Sequence, residues 1–183
     1  MTLWLGEREV QIIHIGRSHT AGDTIVWLPK EKVLFAGDSI EFGSTPYCGD
    51  AHFADWPRTL DAIHALGPEF VVPGRGRSLR GHAEVEEAIG GAQSFTSDLL
   101  AIAKAGVAKG ATLKQVYDQA MTAMRPKYGR WVIFEHCMPF DVSRAYDEAT
   151  GIDHPRIWTA ERDLEMWQAL EQGKPMKSAE LNA

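Results

Sequence analysis

Cysteine is scarce in this chain. Only Cys48 and Cys137 occur in 183 residues, far apart and outside any Cys-x-x-Cys spacing, so neither a disulfide framework nor a cysteine-rich zinc module can be built. A reducing, cytoplasmic compartment is the simpler expectation. Long apolar runs are missing as well: none approaches the roughly 20 residues of a membrane-spanning helix. The opening MTLWLGEREV has no charged-then-apolar order, so no signal peptide is visible, although a lost beginning would have taken any signal with it. Basic residues are in deficit, 19 Lys and Arg against 25 Asp and Glu, which argues against nucleic acid or an anionic membrane as partner. There is no internal repeat and no low-complexity tract. What remains is ordinary globular composition, 44% hydrophobic and 24% charged, enough for one core.

Strand patterns fill the first part of the chain. Residues 3–5 and 10–15 form two apolar runs separated by a Gly6-Glu7 turn, and residues 24–28 and 33–36 are β-branched and aromatic runs joined by the polar turn Pro29-Lys30-Glu31-Lys32. His19 falls in the loop after one strand, and Asp38 follows Gly37 as another strand ends. Strand ends hold side chains rigidly while loops supply irregular backbone, so these two can converge on an ion. An imidazole with a carboxylate suits zinc or a similar divalent cation. His14, within a strand, reads as a core or surface residue.

Residues 39–54 carry the breakers Gly43, Pro46 and Gly49, and read either as a loop shaping a substrate pocket or as an ordered surface loop without a catalytic part. A helix is expected from Asp55 as N-cap, with Pro57 in the first turn, Leu60, Ile63 and His64 on one face and Gly67-Pro68 as its stop. The buried strand 70–72 then delivers Pro73-Gly74-Arg75-Gly76 to the sheet edge where Asp38 lies.

The segments Ser18-His19-Thr20-Ala21-Gly22-Asp23-Thr24, Phe35-Ala36-Gly37-Asp38 and Val72-Pro73-Gly74-Arg75-Gly76, in this order and spacing, resemble the second half of the metallo-β-lactamase fold superfamily over roughly residues 9–80. The resemblance implies the C-terminal half of an αββα sandwich, an α/β (α+β) fold, with His19 and Asp38 as zinc ligands and Asp38 as the catalytic carboxylate that holds the metal-bound hydroxide. Two departures accompany it. The family's HxHxDH motif has no counterpart in the eighteen residues ahead of His19. Arg75 stands where the family has its last histidine, and a guanidinium has no lone pair to donate and stays protonated. One zinc is therefore expected rather than two. Arg75 is expected to contact a substrate anion or to pair with Asp38.

Beyond residue 80 the pattern turns helical over 82–106, 112–124 and 159–170, with Thr112 and Thr159 as N-caps, Gly110 and Gly173 as stops and Gly90-Gly91 as a kink. Between the last two helices lies an aromatic segment, residues 128–141, broken by Pro139 and expected to be an apolar docking segment, either against the sandwich or across a subunit boundary. His136-Cys137 within it is either a donor pair or part of a polar network with Glu135 and Asp141. The FEHCMPFD stretch resembles the branch that includes chlorothalonil hydrolytic dehalogenase. The domain expectation is a half-sandwich over 1–80, a helical extension packed on it over 81–172, and a tail over 173–183.

The function expected is that of a zinc-dependent hydrolase attacking an electrophilic carbon of an apolar or aromatic small molecule, hydrolytic dehalogenation among the forms. Arg75, His52, Trp56 and Tyr47 are the expected substrate contacts. The alternative is a non-catalytic remnant or a binding or dimerisation module. A half-sandwich leaves an apolar face and a strand edge bare, so a homodimer or a complementing N-terminal fragment carrying HxHxDH is the expected partner.

Overall fold

The computed structural model describes residues 1–171; the expected tail over 173–183, with its Gly173 stop, lies outside them. Six strands form one sheet in sequence order: β1 (Thr2–Leu5), β2 (Arg8–Ile13), β3 (Ile25–Leu28), β4 (Val33–Glu41), β5 (Phe70–Arg75) and β6 (Leu79–Arg80). β1 to β4 are an antiparallel meander. β5 then joins β4 in parallel and β6 returns antiparallel to it. A parallel neighbour needs a crossover, and α1 (Trp56–Ala65) provides it, burying Trp56, Thr59, Leu60 and Ile63. Asp55 precedes α1 without a side-chain capping bond, and His64 is exposed rather than on the packed face.

The sheet's two faces differ. Trp27, Leu34 and Val71 are paired across β3, β4 and β5, so they share a face, and all three are buried in the main core. Here α2 (His82–Val107) packs through Val85, Ala88, Ile89 and Ala92, in contact with β4 and β6. The next row over, Ile12, Val26, Phe35 and Val72, points the other way because side chains alternate along a strand. Phe35 is 44% exposed and Val72 36%.

Four differences from the sequence reading bear on the site. β4 does not end before Asp38 but runs through it to Glu41, so Ser39, Ile40 and Glu41 are strand rather than loop. Pro73, Gly74 and Arg75 likewise belong to β5. α2 runs through Gly90-Gly91, where a kink was expected, without interruption. The aromatic docking segment, expected to be broken at Pro139, instead folds after a left-handed Ile133 into α4 (Phe134–Ala149), which continues through Pro139. α3 (Leu113–Tyr128) starts at a capping box in which the Thr112 hydroxyl accepts from Gln115 N–H and the Gln115 side chain accepts from Thr112 N–H; α5 (Ala160–Leu170) is capped by Thr159. α2, α3 and α4 pack on one another and α5 closes over α3 and α4.

Candidate metal centre

The loop that carries His19 is organised by Asp23. Its carboxylate accepts from the Ser18 hydroxyl, from the Thr20 amide at 3.0 Å and from the Thr20 hydroxyl at 2.6 Å, and Ser18 N–H donates to Thr20 O at 3.0 Å. A carboxylate with three local donors fixes a tight turn, and His19 is at its tip. Behind it, Trp56 meets the His19 ring edge-on, centroids 6.0 Å apart, and its indole N–H donates to Ser39 O at 3.0 Å. Ser18 and Ser39 share a 2.9 Å hydroxyl bond. The histidine turn and β4 are thus tied together at two points.

β4 reaches Asp38 and Glu41 through an irregular stretch. Its register against β5 shifts between Phe35 and Gly37 and again between Gly37 and Glu41, with Gly37 at φ +53°. Residues three apart on a regular strand face opposite ways, and these shifts break that rule. The result is that one ligand atom each from His19, Asp38 and Glu41 lie within 4.8 Å of one another. Gly74 of β5 packs directly against Asp38.

The polar atoms there lack partners. His19 Nε2 and both carboxylate oxygens of Glu41 are buried without a hydrogen bond. Burial pushes the Glu41 carboxyl up to about 7, with Arg75 opposing, Asp38 adding to the shift and the nearby Ser44 hydroxyl opposing it. Arg75 approaches Glu41, Nε to Oε1 at 3.7 Å, so the ion pair it makes is with Glu41 and not with Asp38, one of its two expected roles; its side chain is 45% exposed against 1% for Glu41.

The other expected site residues are placed as follows. His52 is buried, its amide donating to Ser18 O at 2.9 Å, with neither ring nitrogen bonded; burial and the Arg17 and Arg144 cations hold its pKa below the usual range. It is not among the clustered ligand atoms. Trp56 is 1% exposed, so it can orient His19 but offers no open surface. Tyr47 packs on Phe140, centroids 5.3 Å apart, and burial raises its hydroxyl to about 12. His14 bonds Asp23 O at 2.8 Å on the surface. His136 and Cys137 diverge, the former exposed and the latter buried with its thiol 3.8 Å from Thr45 O, so they form no donor pair. Asp141 is buried and accepts the Cys48 amide at 2.7 Å.

The sequence model of the metallo-beta-lactamase superfamily matches residues 5–75, the segment that contains His19, Asp38, Glu41 and Arg75. That segment of the chain is similar to metallo-beta-lactamase superfamily sequences. Curated relatives include a metallo-beta-lactamase type 2 of Bacteroides fragilis, 35% identical over 81 residues, 42% of this chain and 32% of that protein. Another, from Elizabethkingia meningoseptica, is 35% identical over 75 residues, 38% of this chain and 30% of its own length. The chain therefore spans about a third of the curated relatives it matches. Among solved structures, the DIM-1 metallo-beta-lactamase aligns with 27% identity and a TM-score of 0.45, covering 54% of this chain and 45% of that one. Glu41 is the member of the cluster that sequence reasoning missed; a strand signal in Ile40-Glu41-Phe42 could have extended β4 to it.

The residues present suit a divalent cation. Two donors each about 2.0–2.2 Å from a zinc lie at most about 4.4 Å apart, close to the observed spread of the cluster. One imidazole and two carboxylates are borderline-to-hard donors, the set that zinc and its divalent neighbours take.

Proposed function

We propose that this chain supplies one side of a metal-dependent hydrolase centre, with His19 and Asp38 as ligands. The convergence of their ligand atoms around a buried, unpartnered imidazole nitrogen carries the reading. A bound zinc supplies Lewis acidity, lowering the pKa of a coordinated water toward 7 and polarising the bond under attack. The protein's own part is orientation. Trp56 fixes the plane of the His19 ring, and Gly74 lets β5 close on Asp38, whose carboxylate accepts the hydrogen bond of the attacking water. Arg75, on the exposed rim, meets negative charge developing on the substrate or its leaving group.

The substrate class that fits is a small apolar or aromatic molecule with an electrophilic carbon, hydrolytic dehalogenation being one form. The aromatic content behind this reading includes Tyr47, packed on Phe140, which in turn packs on Trp158. A soluble, reducing setting is consistent with two free buried thiols, and no described helix is long and apolar enough to cross a membrane. The test is zinc content of the full chain after loading and desalting, measured by mass spectrometry for wild type, His19→Ala and Asp38→Ala. Near one equivalent in wild type and loss in both variants is expected; a folded wild type that retains no zinc would overturn the proposal.

A second reading, a binding or dimerisation module, draws on the bare row of Phe35 and Val72. Exposed apolar sheet surface invites a covering layer, and a second copy or a fragment carrying HxHxDH would provide one. Light scattering at micromolar concentration separates the cases: a stable monomer that keeps its zinc supports the first reading alone.

A further inference from the structure

We infer that Glu41 is a third metal ligand, taking the place that the superfamily's last histidine would fill and that Arg75 here cannot. This rests on the metal-centre reading above and goes beyond it, because the sequence motifs point only to His19 and Asp38.

Three observations support it. The Glu41 side chain is 1% exposed, yet neither carboxylate oxygen has a hydrogen bond of regular geometry, the Ser44 hydroxyl being the neighbour that partly offsets its burial, and buried carboxylates so poorly partnered are costly enough to be rare. Its nearest cation, Arg75, stands at 3.7 Å, beyond hydrogen-bond reach, with nearly half its own side chain in solvent. That is a weak counter-ion for a charge so enclosed. The carboxylate instead shares a 4.8 Å cluster with His19 and Asp38, and the irregular β4–β5 pairing is what turns it there.

The local backbone is built to hold this arrangement. Phe42 N–H donates to Arg75 O at 3.0 Å, directly after Glu41, which pairs with Arg75 in the β4–β5 register. Gly76, at φ +95°, lets the chain pass Phe42, because a Cβ there would sit 2.1 Å from Phe42 O. Position 75 is thereby anchored beside Glu41 through its backbone. Its guanidinium remains free to lean toward the carboxylate or the solvent, and in either pose it leaves carboxylate oxygens free for an ion. With a divalent cation, the two carboxylates balance the metal and Arg75 leaves one positive charge, a setting that favours an anionic ligand or leaving group.

The experiment is Co2+ titration of the full chain, followed by visible absorption and calorimetry, for wild type, His19→Ala and Glu41→Gln. Glu41→Gln should weaken Co2+ binding on the order of 100-fold or more, since even residues behind the ligands typically cost 10–100-fold, and should shift the d–d bands. Thermal melts add a readout that a plain ion-pair partner would not give. Without metal, Glu41→Gln should melt above wild type, because an unpaired buried charge is gone; with saturating Zn2+ the order should reverse. Should Glu41→Gln fold poorly, crystals of zinc-loaded wild type decide the matter, with a Glu41 oxygen inside the anomalous zinc peak's coordination sphere expected. Wild-type affinity and spectrum in Glu41→Gln, with binding lost in His19→Ala, would overturn the role of Glu41 and leave the centre standing. No Co2+ binding by folded wild type would overturn both.

Discussion

A Cβ placed on Gly74 would sit 2.0 Å from Asp38 Oδ1 and 2.8 Å from Asp38 N. The close approach of β5 to β4 beside Asp38 therefore depends on the absence of a side chain at that position. Gly74→Ala should push the strands apart or rotate Asp38, costing about 1–3 kcal/mol as overpacking does, and should lower zinc retention. Gly22→Ala, whose Cβ would meet nothing within 4 Å, is the matched control. Urea unfolding of the two variants checks the difference; equal midpoints would refute the packing argument.

Arg144 is fully buried in α4, donating to Ala51 O at 2.7 Å, Ile152 O at 2.8 Å and Asp153 O at 2.7 Å, with Glu148 at 3.1 Å. It ties the segment before α1 to the chain after α4. Arg144→Met keeps much of the volume but leaves those carbonyls and Glu148 without the cation, and should cost about 3–5 kcal/mol. Chemical denaturation provides the measurement, and a loss below about 1 kcal/mol would mean that the network behaves as a surface one.

Burial holds the Asp141 carboxyl well above its ordinary range; the Cys48 amide opposes this and Glu41 adds to it. The folded chain keeps a proton there that the unfolded chain releases near pH 4, so between the two pKa values the native state binds more protons. Its contribution to stability is full below the unfolded value and falls as pH rises through that window. Asp141→Asn, which still accepts from Cys48, should flatten this decline in melting temperature between pH 4 and neutrality relative to wild type.

Thr112 and Gln115 exchange bonds at the start of α3, at 3.3 and 2.9 Å. Thr112→Ala should cost about 1 kcal/mol, and adding Gln115→Ala should cost less than it does in wild type, because the two bonds work together. A double-mutant cycle in urea reads that coupling directly.

How far the sequence discloses the site follows from what each residue's signal is. His19 and Asp38 are legible because they sit in short motifs flanked by glycines and small hydroxyl residues that shape turns. Glu41 is not, since three residues along a strand should place it on the opposite face from Asp38, and the register shifts that cancel this arise only from pairing with β5. The strand itself was legible up to Ala36 and was cut short by reading Gly37 as a stop rather than a bulge. α4 was hidden by Pro139, which normally ends helices, although its buried Phe134, Cys137, Met138, Asp141, Val142 and Ala145 repeat at helical spacing. α3 and α5 are legible from their N-caps Thr112 and Thr159 together with helical period, and α2 from its period alone.

Beside β5, the stretch of β4 from Phe35 to Glu41 takes six steps where β5 takes only three, from Val72 to Arg75. Even pairing would make more ladder hydrogen bonds between the two strands, so the irregularity leaves backbone pairing unmade. Laboratory evolution for heat resistance alone, without selection on metal, should find some of its easiest gains in this stretch and erase the centre while improving the fold.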